Sequence, residues 1–400
     1  MTSKFQSSLA AGLNPADVVE RTFDLEAIRT ELADLAAVHR EQGDTLRRLP
    51  PALAEAFLRH DVYRMLLPSD LGGAAVDPLD YLQLVADIAR VDGSTAWSLA
   101  IGIGSALYVG YLPPEHGRAM VAERACGIAG AYAPFGRGDV ADGGYRVSGR
   151  WGWASGIDQA RWVVFGFSVP ADEATEGGPA EVRQALAPRD AFRILDTWHV
   201  SGMRGTGSTE YEVENLFVPA ETSFRVFVSQ PCHPAPFFRL PGAFFAAAVA
   251  SVTIGIALGT VDGLKRLASG KRGFPGRPAL RDQAFAQYAV AKAQALAESA
   301  SAYLRHAMGD IWHNILIDEA VTLDQRTRAR RAAVHAAEAA AGAVDLCCRA
   351  AGGHALFQSQ PFERALRDVR AAMAQIVLQP NAMEDAGRAA FGLDPVSPAF

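Results

Sequence analysis

The chain has 400 residues, half of them apolar and a fifth charged, with a net charge of −6. That length exceeds one ordinary single-core domain, and the balance is that of a soluble globular protein. The mild acidity, with no Lys/Arg cluster to form a phosphate footprint, argues against nucleic acid as partner.

The four cysteines (Cys126, Cys232, Cys347, Cys348) have no CxxC spacing and make no disulfide framework, which fits a reducing cytoplasm. Met1 to Asn14 lacks a basic region followed by an apolar core, so no signal peptide is expected. Gly242 to Gly259 is uncharged and about long enough for a membrane span. Its Ala, Gly, Ser251 and Thr253 gain little from lipid, so a buried core helix is the expectation and no membrane is implied.

From Asp24 to about Glu123 the pattern is helical. Leu25, Ile28, Leu32, Leu35 and Val38 recur at three- and four-residue steps. Pro50 and Pro51 mark a second helix start, and Leu71-Gly72-Gly73 reads as a turn. A further helix begins at Pro78 and breaks at Asp92-Gly93-Ser94. Gly102 and Gly104 superficially suggest a dinucleotide loop, but their context is helical and no strand precedes them.

From Cys126 to Val228 Gly becomes frequent, and Tyr145-Arg146-Val147 and Trp162 to Phe165 look like strands. Gly143-Gly144 has the composition of a hairpin turn, and Ala171 to Glu181 that of a polar surface loop. Helices return from about Pro241. Leu280, Ala284, Tyr288 and Ala291 predict one helical face, and Arg328 to Ala351 is Ala-rich and stops at Gly352-Gly353. Three domains are expected: residues 1–125 helical, 126–235 a β-barrel or sandwich, and 236–400 a helical bundle, an α+β chain.

Two stretches suggest chemistry. Trp153 and Ser155 lie two apart on a predicted strand, which would put both on one face. An indole beside a hydroxyl suits a flat ring with polar edges, although ordinary strand packing is the other reading. Arg204-Gly-Thr-Gly-Ser208 is short, Gly-rich and hydroxyl-bearing, apt for close approach to an anion or ring, or simply a hairpin turn.

Four segments in order carry a resemblance. They are Pro68-Ser-Asp-Leu-Gly-Gly73 with Asp92-Gly-Ser-Thr-Ala-Trp97; Gly143 to Gly156 with Ala160-Arg-Trp162; Trp198 to Ser208 leading to Phe217-Val-Pro219; and Arg364-Ala-Leu-Arg-Asp368. The chain resembles the acyl-CoA dehydrogenase fold, and within it the two-component, reduced-flavin-dependent monooxygenases of phenols, steroid-derived catechols, dibenzothiophene and amines. The resemblance implies Trp153 packing on the isoalloxazine, Ser155 at flavin N5, and a flavin edge along Tyr132 to Asp139. It also implies flavin or phosphate contact at Arg204, Thr206 and Ser208, and Arg272 on the phosphate. It implies reduced FMN, or FAD, supplied by a separate NAD(P)H:flavin reductase, O2 as co-substrate, a C4a-hydroperoxyflavin, and a homotetramer.

Departures from the family pattern bear on the reaction. The common dehydrogenase Glu position is Ile376, which cannot take a proton; this weakens an acyl-CoA-dehydrogenase-like FAD oxidoreductase, the alternative reading. A third reading is a different flavoprotein activity or a non-catalytic relative. The two usual oxygenase His positions are Gln159 and Gln375, and Gln can hydrogen-bond but cannot act as a base. His199 is the nearest alternative base. No metal spacing is present among the histidines. The expected substrate is a small aromatic or amine-bearing molecule.

Overall fold

The computed structural model describes residues 23–123, 125–170, 180–270 and 278–396. Arg272 and residues 171–179 of the expected surface loop lie outside them.

Short-range chemistry sets the first helices. Asp24 caps α1 (Leu25–Leu46) by accepting from the Ala27 amide at 3.0 Å. Pro51 opens α2 (Pro51–Arg59). Asp77 caps α3 (Pro78–Ala89) and Asp92 caps α4 (Gly93–Ser105). A short helix, α5 (Pro114–Val121), ends this part. Gly102 lies inside α4, where a Cβ would strike the Tyr63 ring at 2.6 Å, so its role is helix packing.

The middle of the chain is one mixed sheet of seven strands among the described residues, in the order β5-β6-β2-β1-β3-β4-β7. β1 (Ile128–Ala141) and β2 (Gly144–Ala154) form the expected hairpin, with Val140 opposite Tyr145 and Gly143 at φ +74° in the turn. β3 (Trp162–Val169) runs parallel to β1, and β4 (Glu181–Pro188) antiparallel to β3. β5 (Arg193–Leu195), β6 (Thr209–Pro219) and β7 (Ser223–Phe224) complete it. The sheet curls over its own aromatic core. Trp151 stacks on Tyr211 at 5.4 Å and meets Phe165 edge-on at 5.6 Å.

The C-terminal helices are α6 (Gly242–Gly270), α7 (Ala284–Leu316), α8 (Leu323–Ala351), α9 (Pro361–Met373) and α10 (Pro380–Ala390). They share a single hydrophobic core with the N-terminal helices, while the sheet keeps its own. Helix α6 is long and apolar enough to cross a membrane by length and composition, but 83% of its most apolar window is buried in the protein. It is the central core helix, brought against α3 by Gly255, whose missing side chain leaves room for the Ala86 carbonyl.

Two sequence readings are corrected here. Tyr288 and Phe285 of α7 are exposed, as are Ala284 and Ala291; the face turned inward is Ala286, Ala289, Ala293, Ala297 and Ala300. Alanines satisfy many helical phases, so periodicity alone selected the wrong stripe. By sequence the Ala-rich face from Ala332 to Ala343 suits close helix packing between subunits; in α8 it is buried within the chain against α6 and α7.

Candidate active site

The end of β2 does not alternate as a plain strand would. Trp151 pairs with Tyr211, but Ala154 pairs with Thr209, so β2 carries one extra residue. Trp153 sits in that bulge at φ +64°, a conformation that costs a non-glycine residue roughly 1–2 kcal/mol. The expectation that Trp153 and Ser155 share one strand face is thereby corrected. Trp151 turns inward and donates to the Gly166 carbonyl at 2.7 Å. Trp153 is turned outward, 66% exposed, with Phe135 at 6.3 Å beside it, and Ser155 is only 7% exposed just beyond the strand end. Backbone strain of this kind concentrates at working sites.

Ser155 belongs to a row of hydroxyls. Its Oγ accepts from Trp97 Nε1 at 2.9 Å and lies 2.6 Å from Ser208 Oγ. Ser208 lies 2.7 Å from Thr206 Oγ1, which donates to the Met203 carbonyl at 2.8 Å. The Arg204–Thr206 segment is a tight 3-10 turn between left-handed Met203 and Gly207, not a hairpin. Its Thr206 carbonyl accepts from the Gly156 amide at 3.0 Å, tying the turn to the strand end. Arg204 donates through Nε to the Asp44 carbonyl at 3.1 Å. Ser94 of α4 lies against Gly205, its hydroxyl buried without a hydrogen-bond partner.

Behind the row stands a charged clamp. The Met203 amide donates to Asp368 of α9 at 2.6 Å. Arg367 donates to the Ser201 carbonyl, and Arg364 pairs with Glu41 at 2.9 Å and Asp44 at 3.3 Å. Burial pushes the Asp368 carboxyl up to about 7, with Asp92 and Asp44 adding to the rise and the Met203 amide and Arg367 opposing it. Burial raises Asp92 as well, against its bonds to Thr95 and the charge of Arg364.

A second feature lies further along α4. Gly104, Tyr108, Tyr111 and Tyr132 border a cavity of about 50 Å³ together with Phe237, Phe244 and Arg330. No Asp or Glu lines it among the described residues. Burial raises the Tyr108 and Tyr132 phenols, so both stay protonated and able to donate. Burial also lowers the Arg330 guanidinium, against the influence of Tyr132 and Asp385. Gly104 follows Trp97 by two helical turns, so the cavity lies about 10 Å along α4 on nearly the same face.

The structure thus gathers Ser155, Thr206 and Ser208, and places Tyr132 in the cavity wall. It does not bring His199 or Gln375 to them. His199 is exposed beside the Arg47–Asp196 ion pair, with Arg47 Nη1 3.2 Å from its Nε2. Gln375 accepts from the Val377 amide at 2.7 Å and caps the turn at Ile376, and it does not line the cavity. Trp97 was the residue sequence reasoning missed. A lone indole in a helix otherwise built of Ser, Thr, Ala, Gly and small aliphatics was the available signal.

Residues 247–380 match the family model for the acyl-CoA dehydrogenase C-terminal domain. The oxygenase subunit HsaA of a flavin-dependent monooxygenase from Rhodococcus jostii is 32% identical, covering 85% of this chain and 91% of that protein. The chain belongs to the flavin-dependent monooxygenases. An indole-3-acetate monooxygenase from Pseudomonas putida is 30% identical over 97% of this chain and 98% of its own length. Among solved structures, the 3-HSA hydroxylase from Rhodococcus sp. RHA1 superposes with a TM-score of 0.87 at 29% identity, covering 94% of this chain and 99% of that one. Helices, sheet and helices in this order are the acyl-CoA dehydrogenase-like fold of these monooxygenases. The residues present suit a flavin. The exposed Trp153 indole offers a flat face to a ring, and beside it the Ser155 hydroxyl makes two hydrogen bonds and has capacity for a third.

Proposed function

We propose that this monooxygenase takes reduced FMN, with FAD the alternative, from a separate NAD(P)H:flavin reductase and oxygenates a small aromatic substrate held in the Tyr108–Tyr132 cavity. Bound reduced flavin supplies the two electrons that let one oxygen atom of O2 reach the substrate and the other leave as water. Trp153 gives the ring its flat support and Ser155 meets its polar edge. Thr206 and Ser208 hold Ser155 in place. Arg204 and Arg272 are assigned to the flavin's anionic side, Arg being suited to phosphate by its paired donors. Tyr132, with Tyr108, presents neutral phenol donors to the substrate. The structure offers Gln375 and His199 no comparable role, and they are assigned to a turn cap and a surface ion pair.

The carrying observation is an aromatic cavity with no Asp or Glu in its lining among the described residues, about 10 Å along α4 from the end of a buried hydroxyl row. A dehydrogenase must abstract a proton, and Ile376 at the usual base position is 64% exposed and apolar. Relatives named for indole-3-acetate and resorcinol support an aromatic ring as substrate. The domain division at residues 125 and 235 is retained, the sheet forming the flavin wall. The free thiols suit a cytoplasmic location. Exposed Phe285, Tyr288, Leu316 and Ile317 on and after α7 suit contacts between copies in a homotetramer.

A single turnover under ¹⁸O2, with reduced FMN and candidate aromatics, tests the reading. One labelled oxygen in the product is expected. Reduction of oxidised flavin by an acyl-CoA thioester, with no label incorporated, would establish a dehydrogenase instead.

A further inference from the structure

The hydroxyl row has a direction. The Met203 carbonyl can only accept, so Thr206 donates its one proton there. Thr206 then accepts from Ser208, and Ser208 from Ser155. At the other end Trp97 Nε1 donates to Ser155, which is compatible with this sense. Each hydrogen bond along the row thus has its own proton. Ser155 has used its proton, and one of its lone pairs remains free. Ser155, Thr206 and Ser208 are all buried, at 7%, 1% and 5% exposure, so water does not readily replace a hydrogen bond broken here.

We propose that Thr206 and Ser208 are positioning residues that lock Ser155 as a hydrogen-bond acceptor, so that the site selects reduced over oxidised flavin. The proposal rests on the reading that the flavin lies against Ser155. Reduced flavin carries a proton on N5, which fills the free lone pair of Ser155 and leaves every donor and acceptor in the row matched. Oxidised N5 offers a lone pair instead, and the row then lacks one proton. Either N5 goes without a hydrogen bond or the row breaks at one joint. The preference expected from one buried hydrogen bond is about tenfold or more. By linkage, a tenfold preference raises the two-electron midpoint potential of the bound flavin by about 30 mV.

The experiment compares affinities for oxidised FMN in air and reduced FMN under anaerobic conditions, by fluorescence titration, in wild type and three variants. Thr206→Val keeps the shape but removes the terminal donor, freeing Ser155 to turn its proton toward N5. The reduced-over-oxidised ratio should fall about tenfold, with the potential dropping by about 30 mV. Thr206→Ser retains the hydroxyl and should keep the wild-type ratio. A wild type that binds both redox states equally, or a Thr206→Val ratio equal to wild type, would overturn the proposal. Ser155→Ala separates the two levels. If it changes neither affinity, flavin does not lie against Ser155 and the underlying reading fails. If it changes them while Thr206→Val does not, only the polarity of the row is refuted.

Discussion

The Met203 amide and the Asp368 carboxylate meet at 2.6 Å across 165 residues of sequence. That bond joins α9 to the turn whose carbonyl terminates the hydroxyl row. The same carbonyl also accepts from Trp198 Nε1 at 3.2 Å. A helix remote in sequence therefore holds the backbone on which the Thr206, Ser208 and Ser155 hydroxyls are lined up.

Asp368 should make stability fall as pH rises. Its carboxyl is pushed up to about 7, chiefly by burial, from an ordinary value of 3.8. Between these values the folded chain holds a proton that the unfolded chain has released, so unfolding is favoured by raising the pH. The contribution is fully present below about pH 4 and lost by about pH 7. Asp368→Asn keeps an oxygen for the Met203 amide and cannot ionise. Relative to wild type it should gain roughly 1–4 kcal/mol between about pH 4 and pH 8. Urea unfolding across that range measures it, and a constant difference between the two proteins contradicts the assignment.

Trp97→Phe removes the donor to Ser155 while keeping an aromatic ring in α4. The loss of about 1 kcal/mol of hydrogen bonding loosens Ser155. Product formed per O2 consumed should drop several-fold, with hydrogen peroxide making up the difference. An oxygen electrode with a peroxide assay reads both quantities, and unchanged coupling would remove Trp97 from the site.

Gly104→Leu places a side chain at the rim of the aromatic cavity, where a Cβ would lie 3.8 Å from the Tyr81 hydroxyl. Leu also favours helix over Gly, so α4 should survive. The expected result is a KM for the aromatic substrate raised tenfold or more while reduced-flavin affinity stays unchanged. A normal KM would place the substrate elsewhere.

Gly255→Ala tests the approach of α6 to α3. A Cβ there would lie 2.2 Å from the Ala86 carbonyl oxygen, and a backbone atom has little freedom to yield. The cost should be roughly 1–3 kcal/mol or more. Gly387→Ala in α10 meets nothing within 4 Å and should gain about 0.5–1 kcal/mol. Thermal unfolding of the pair separates close packing from helix propensity.

Light scattering should give a mass four times that of the chain. Tyr288→Glu, which charges a side chain 64% exposed on α7, should shift that mass downward if this face joins copies. A wild-type monomer contradicts the assembly.

What the sequence determined by itself was local. Pro51 and Pro78 announced helix starts because a proline fits the first helical position, where its missing amide leaves no bond unmade. Gly143 marked the hairpin, and the uncharged run from Gly242 marked the core helix, because each is a property of neighbouring residues. The order of such elements gave helical, β and helical parts, and the four family-like segments supplied the resemblance to the fold. The tertiary structure decided everything that depends on partners far along the chain. One inserted residue in β2 turned Trp153 away from the face that alternation assigned it. Which alanine stripe of α7 faces inward depended on the helices it packs against. Trp97 and Ser155 are 58 residues apart, Ser155 and Ser208 53. Periodicity reports how a backbone segment meets water, and it carries no record of which distant donor will meet which acceptor.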